Sequence, residues 1–263
     1  MHKSKLNIAT QAALSAGKLI NQRYERLDSI RVAQKGRNDF VTDVDKIAES
    51  AIIDTIQEAF PAHDIITEES QLKLTGSEYC WIIDPLDGTN NFIHGLPYFS
   101  ISIALQHNKE TVVAVIYNPI NDELFSAIKG SGAQLNSQRI RVATTKAMSH
   151  ALIAAGFTNR EGTDINTHTR ATNQVLQSCS ALRQTGSAAL DLAHVACGRL
   201  DGYWASQLRP WDIAAGTLLI TESGGIVTDF NKGNLKLSKG EIITGTPRVH
   251  AELVEILSNQ RSN

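Results

Sequence analysis

Apolar positions in the first part of the chain recur at helical spacing. Ile8, Ala9, Ala12, Ala13, Ala16, Leu19, Ile20 and Tyr24 fall on one face, which predicts a helix over residues 6–24. A second helix is predicted from Asp43 to Phe60, on Ile47, Ala51, Ile52 and Ile56, with Pro61 as its stop. Between them, residues 31–41 read as a short strand and a turn at Gly36-Arg37-Asn38-Asp39. The middle of the chain switches to short β-branched and apolar runs. Asp64–Thr67 and Cys80–Ile83 read as strands, the second ending at an Asp84-Pro85 turn. Phe99–Gln106, Thr111–Tyr117 and Glu123–Ile128 read as neighbouring antiparallel strands, and Gly130, Gly132 and Asn136 punctuate the segment after them.

From about residue 150 strand and helix patterns alternate. Strands are predicted at Ala151–Ala155, Gly202–Trp204, Ile226–Asp229 and Ile242-Ile243. Helices are predicted at Thr167–Gln177, from Gly186-Ser187-Ala188-Ala189 to about Gly198, at Asp212–Ser223 before Gly224-Gly225, and at Ala251–Leu257. The expectation is one compact unit with an α+β half over 1–145 and an α/β half over 146–263, without repeats, linkers or low-complexity segments.

Composition narrows the class. A chain of 263 residues, 42% hydrophobic and 20% charged, is long enough to bury a large core. Its formal net charge of −2 gives no basic field to draw in nucleic acid or an anionic membrane. No apolar stretch is long enough to span a bilayer, and Asn7, Thr10, Gln11 and Lys18 interrupt any signal-peptide core, so a cytoplasmic protein without membrane attachment is expected. Cys80, Cys179 and Cys197 are odd in number and far apart, which reads as reduced core thiols. The eight histidines show no metal-ligand spacing.

Acids gather at element ends in four places. Thr42-Asp43-Val44-Asp45 opens the second helix and, taken alone, is a capping box. Glu68-Glu69 follows a short strand and, taken alone, is a solvated loop. Asp84 directly follows three apolar residues, so its carboxylate sits at the mouth of the core and needs a positive partner; no lysine or arginine lies in Asp84-Pro85-Leu86-Asp87-Gly88-Thr89. Carboxylates with a nearby backbone carbonyl suit Mg²⁺ or Mn²⁺, and the amides of Gly88 and Thr89 at a helix start suit an anion. Asp212 opens a helix of small residues, Ala214-Ala215-Gly216, which suggests a closely approaching neighbour. Together these places suggest one site, with two or three divalent metals held by Glu68, Asp84, Asp87 and Asp212.

The stretch Asp84-Pro85-Leu86-Asp87-Gly88-Thr89-Asn90-Asn91-Phe92 resembles the first motif of the inositol monophosphatases, and Trp211-Asp212-Ile213-Ala214-Ala215-Gly216 the second. Thr67-Glu68-Glu69-Ser70 is similar to the family's Glu-Glu pair, and Asp39-Phe40-Val41-Thr42-Asp43-Val44-Asp45 to its early acidic segment. The resemblance covers essentially the whole chain and is nearest to the bacterial extragenic-suppressor type within the lithium-sensitive, Mg²⁺-dependent phosphatases. It implies a layered αβαβα fold, a homodimer, and two to three Mg²⁺ per site, with Mn²⁺ as an alternative. It assigns Glu68, Asp84 and the Leu86 carbonyl to a first metal, Asp84, Asp87 and Asp212 to a second, and Glu68 to a third, more hydrated one. Thr89 with Asp45 would activate the attacking water, and the Gly88 and Thr89 amides would hold the phosphate. Asp87, Gly186, Ser187, Ala188 and position 205 would face the alcohol part of a small phosphate ester.

Members acting on inositol phosphates carry a glutamate at the place of Ala205, seven positions ahead of Asp212, and it contacts a ring hydroxyl; alanine has no acceptor to offer there. Asn90 stands where many relatives have a second threonine. The expected activity is hydrolysis of inositol monophosphate or a similar small polyol phosphate. The same chemistry on fructose 1,6-bisphosphate or a 3′-phosphonucleotide is the alternative, with Arg209 and Arg183 as the basic candidates for a second phosphate. A partner-binding role with RNA polymerase antitermination factors is the third reading, to be carried by protein surface, since no RNA-binding motif is present.

Overall fold

The computed structural model describes residues 2–36, 39–70, 72, 74–157 and 164–258. The chain opens with α1 (Lys3–Tyr24), which buries Ala9, Ala12, Ala13, Ala16 and Ile20, largely the predicted stripe. A ribbon of β1 (Val32–Gly36) and β2 (Asp39–Thr42) follows; it holds two strands where one was expected, and the predicted turn at Arg37-Asn38 lies outside the described residues. Next comes α2 (Asp43–Ala59), started by Thr42 in a capping box with Asp45.

A seven-stranded sheet then runs in sequence order through β3 (Asp64–Thr67), β4 (Tyr79–Asp87), β5 (Ser100–His107), β6 (Glu110–Asn118), β7 (Glu123–Ile128), β8 (Gly132–Leu135) and β9 (Gln138–Arg139), with α3 (Thr89–Ile93) between β4 and β5. The pair β3–β4 is parallel and the remaining pairs are antiparallel. The five-stranded sheet has the order β11-β10-β12-β14-β13, built from β10 (Leu152–Gly156), β11 (Ala181–Arg183), β12 (Gly202–Ala205), β13 (Ile226–Thr228) and β14 (Ile242–Gly245). Between these strands run α4 (Ile165–Ser178), α5 (Ala188–Ala196) and α6 (Pro210–Glu222), and α7 (Pro247–Ser258) ends the described chain.

Strand alternation sorts the core into three layers. Trp81, Ile83, Ile101, Ile103, Val113 and Val115 face α1 and α2. Ile82, Ala104, Ala114 and Ile116 face the other way, onto α5 and α6, which Tyr203, Ala205 and Ile242 cover from the second sheet. Ile153, Trp204 and Ile243 look outward onto α4 and α7. The order is helix, sheet, helix, sheet, helix, the expected αβαβα sandwich.

Three expectations need correction. β4 does not end at Asp84-Pro85: it continues to Asp87 through a register shift, in which Asp84 pairs with Ser102 and Asp87 with Ser100. Three steps on β4 oppose two on β5, which is a β-bulge. β8, β9 and β11 had no counterpart in the sequence reading. Finally, the three cysteines are free but only half-buried at element ends, not enclosed in the core.

Candidate active site

The bulge in β4 decides the geometry. In a regular strand Asp84 and Asp87, an odd number of residues apart, would point to opposite faces of the sheet. The inserted residue brings them to one side. There they meet Asp212 from the first turn of α6, with one carboxylate oxygen from each of the three lying within 4.8 Å of the others. Asp84 and Asp87 are buried and Asp212 is half-buried.

Each acid is also tied to the backbone. Asp84 Oδ1 accepts from Leu86 N at 3.0 Å, which holds the bulge. Asp212 Oδ2 accepts from Arg209 N at 2.7 Å, so it caps its helix as its position suggested. Asp87 Oδ2 accepts from Ala189 N at 2.8 Å and from the Ser187 hydroxyl, fastening β4 to the first turn of α5. Ser102 donates from its hydroxyl to the Trp211 carbonyl at 3.0 Å, so the residue paired with Asp84 also anchors the start of α6.

Electrostatically the cluster is unfavourable by itself. Burial, then the charges of Glu68, Asp87 and Asp212, push the Asp84 carboxyl well above the usual carboxylate range. Burial pushes Asp87 up to about 6 against the hydrogen bond from Ser187. Three convergent oxygen donors that resist ionising together, in a cleft that Leu86 also lines, fit a small hard cation of the Mg²⁺ or Mn²⁺ type.

Asp45 and Thr89 meet next to this cluster. Asp45 is buried; its Oδ2 accepts from Thr42 N at 2.8 Å and Thr42 Oγ1 at 2.5 Å. Its Oδ1 lies 3.1 Å from the Thr89 hydroxyl, which is also 3.0 Å from the Leu86 carbonyl. One hydroxyl hydrogen serves one of these acceptors at a time. Burial raises the Asp45 carboxyl, which the bonds from Thr42 and Thr89 oppose. Gly88, at φ 95 in the left-handed region that favours glycine, makes the step from β4 into α3.

Glu68 lines the same cleft but stands outside the tight trio. Lys35, reaching over from β1, pairs with Glu68 at 3.3 Å and with Glu69. Glu49 from α2 holds the loop, accepting from Glu69 N at 3.0 Å and from the hydroxyls of Thr67 and Ser70. Nothing in the local sequence of Lys35 or Glu49 marked either one. Gly186, Ser187 and Ala188 line the cleft, fixed by Asn91 Nδ2, which donates to the Thr185 carbonyl at 2.8 Å. The Ser187 hydroxyl is buried; it donates to Asp87 and accepts from Leu190 N at 3.4 Å as the cap of α5.

The cleft has a volume of about 380 Å³. Ala205 is fully buried in β12, opposite Gly156, and among the described residues it is Gly156 and not Ala205 that reaches the wall. Arg183 and Arg209 are exposed and off the wall, and no lysine or arginine among the described residues lines it. Asp191 and Tyr203 line the cleft and were missed, since both read as ordinary positions of a helix and a strand.

Five alternating layers with a carboxylate cluster at the bulged end of a central strand make the architecture of a phosphatase family. The model of the inositol monophosphatase family matches residues 2–262. The chain belongs to that family. It is 49% identical over 257 residues to the Nus factor SuhB of Escherichia coli strain K12, covering 97% of this chain and 95% of the relative. Its fold superposes on the extragenic suppressor protein suhB from Bartonella henselae with a TM-score of 0.94 at 40% identity, covering 97% of this chain and 98% of that one. The IMPase of Thermotoga maritima gives a TM-score of 0.89 at 32% identity, with 100% and 99% covered.

Proposed function

We propose that the protein is a Mg²⁺-dependent phosphomonoesterase for inositol monophosphate or a similar small polyol phosphate. The observation that carries this reading is the convergence of Asp84, Asp87 and Asp212, with oxygens within 4.8 Å of one another, beside the Asp45–Thr89 pair. Asp84, Asp87, Asp212, Glu68 and the Leu86 carbonyl would hold the metals. Bound there, Mg²⁺ supplies positive charge for the reacting phosphate and a water acidic enough to react near neutral pH.

The chain's own residues do the remaining work. Thr89 donates its hydroxyl hydrogen to Asp45 Oδ1; as the Thr89 oxygen takes a proton from the attacking water, the hydroxyl proton passes to the Asp45 carboxylate. Ser187 and Ala189 N keep the Asp87 carboxylate in one orientation. The amides of Gly88 and Thr89 receive phosphate oxygens. The absence of lysine and arginine from the wall among the described residues favours an ester with a single phosphate over a bisphosphate.

Phosphate release tests this, with inositol 1-phosphate, glycerol 2-phosphate, fructose 1,6-bisphosphate and 3′-phosphoadenosine 5′-phosphate, with and without lithium. Asp84→Asn is expected to lose Mg²⁺-dependent turnover on every ester while keeping its circular dichroism spectrum. If both turnover and Mg²⁺ dependence survived, the metal reading would fail.

A second reading is favoured by relatives 49% identical that bear the name Nus factor. In it, the protein also serves a transcription antitermination complex through its surface. In a reconstituted antitermination assay, the Asp84→Asn protein should then work as well as wild type; loss of function in step with turnover would reject a separate surface role.

A further inference from the structure

Tyr203 lies outside both motifs. Its ring is fully buried on β12, on the same face as Ala205, among the side chains of α5 and α6. Its hydroxyl is buried, and no hydrogen-bond partner among the described residues reaches it. Buried hydroxyls are nearly always paired, so an orphaned one on the wall of a functional cleft needs a cause. Tyr203 lines the same cleft as Asp84, Asp87 and Asp212.

The surroundings show how a ligand would meet it. The hydroxyl sits against Gly156, where a Cβ would come within 2.2 Å of the oxygen and 2.8 Å of the Ala205 Cβ. Glycine at 156, itself on the cleft wall, therefore leaves the hydroxyl the space it fills directly against the wall's backbone. Any side chain at 156 would collide with it. Burial, then the charges of Asp191, Asp87 and Asp212, push its ionisation well above the ordinary phenol value, so it remains a neutral hydroxyl.

We propose that the Tyr203 hydroxyl reads the alcohol part of the substrate, donating to one of its oxygens and taking the place of the glutamate missing at Ala205. The proposal rests on the phosphatase reading of the cleft and names the substrate class within it. A glutamate only accepts, so it selects a hydroxyl. A phenol also donates, so Tyr203 admits sugar monophosphates that present a ring or carbonyl oxygen at that place, along with polyols.

Tyr203→Phe keeps the ring and removes only the hydroxyl. KM for inositol 1-phosphate and for a sugar monophosphate is expected to rise about three- to tenfold, the worth of one neutral hydrogen bond, with kcat little changed. KM for phenyl phosphate, whose ring carries no oxygen beyond the ester, should stay the same. The ligand-free variant should melt at or above the wild-type temperature, because an unpaired buried group has been removed. Equal changes on both ester types, no change on either, or a melting temperature several degrees lower would each overturn the proposal. The last would mean that the hydroxyl has an internal partner. A binding readout separates this from the phosphatase reading. Inositol 1-phosphate with Mg²⁺ should raise the melting temperature of wild type more than that of Tyr203→Phe. If that difference appears without turnover in wild type, the phosphatase reading falls and the Tyr203 contact stands. If it is absent, the contact falls.

Discussion

Gly216→Ala tests whether the packing of α5 on α6 controls the site. Gly216 is one turn beyond Asp212 on the same face of α6. A Cβ there would lie 2.5 Å from both the Cβ and the Cδ1 of Leu192 on α5. Carbon atoms rest about 3.5–4.0 Å apart, so roughly 1 Å must be found. The Leu192 Cβ is fixed to its backbone and cannot rotate away, so the helices must part. Alanine gains about 1 kcal/mol of helix propensity over glycine. Overpacking costs about 1–3 kcal/mol, and contacts this short place it at the upper end. The net is a loss of about 2 kcal/mol. With a urea slope near 3 kcal/mol/M, the unfolding midpoint should fall by about 0.7 M. Thr221→Ala, at an exposed position of the same helix, should change stability in the opposite direction, by about 0.5 kcal/mol. Because Asp212 moves with α6, turnover of Gly216→Ala should also fall, by about tenfold. A stabilised Gly216→Ala with full turnover would refute the reasoning, since it would show slack between α5 and α6 and no coupling to Asp212.

Two further outcomes rest on the buried polar groups. Asp45→Asn should lower kcat by about 10²–10⁴-fold in the phosphate-release assay while the fold, read by circular dichroism, is kept, because asparagine still accepts a hydrogen bond but is a far weaker base. His194 lies between Tyr98 Oη at 3.1 Å and Arg199 Nη1 at 3.2 Å, and burial, then Arg199, lower it from 6.5 to about 4. Its folded value is the depressed one, so the unfolded chain binds the extra proton between about pH 4 and 6.5, and this contribution to stability is present above that window and lost as pH falls through it. Between pH 7.5 and pH 5, urea unfolding of wild type should therefore lose about 2 kcal/mol more than that of His194→Phe; parallel pH dependences would show that the imidazole is not held neutral.

Local pattern carried the helices and most strands, because a long amphipathic stripe such as Ala9–Ile20 has one plausible use. β9, of two residues, and β11, of three, are too short to show a period, and only their partners define them. The bulge was hidden for a stronger reason. Period-two reasoning sends Asp84 and Asp87 to opposite faces, and the shift that reunites them exists only in the pairing with Ser100 and Ser102. The motifs still gave the acids, by resemblance. They did not give the groups that hold the acids: Lys35 on Glu68, Glu49 on the following loop, and Ser187 on Asp87 are contacts between distant parts of the chain. Ala205 was legible as a missing acceptor. The orphaned hydroxyl of Tyr203 was not, because lack of a partner is a property of the packed structure.

Capping and cation binding are compatible roles for these acids. Asp84 takes Leu86 N, Asp87 takes Ala189 N, Asp212 takes Arg209 N and Asp45 takes Thr42 N, each with one carboxylate oxygen. Such bonds satisfy amides that a bulge or a helix start leaves unpaired. They also restrict the rotation of the carboxylates, so that the oxygens of Asp84, Asp87 and Asp212 that lie within 4.8 Å of one another would meet a cation at a reduced entropy cost of ordering. The acids that start and join the elements are thus the same acids that those elements aim. This is why the acids of the cluster lie at a strand end and a helix start, and why an acid that looks structural in the sequence is poor evidence against function.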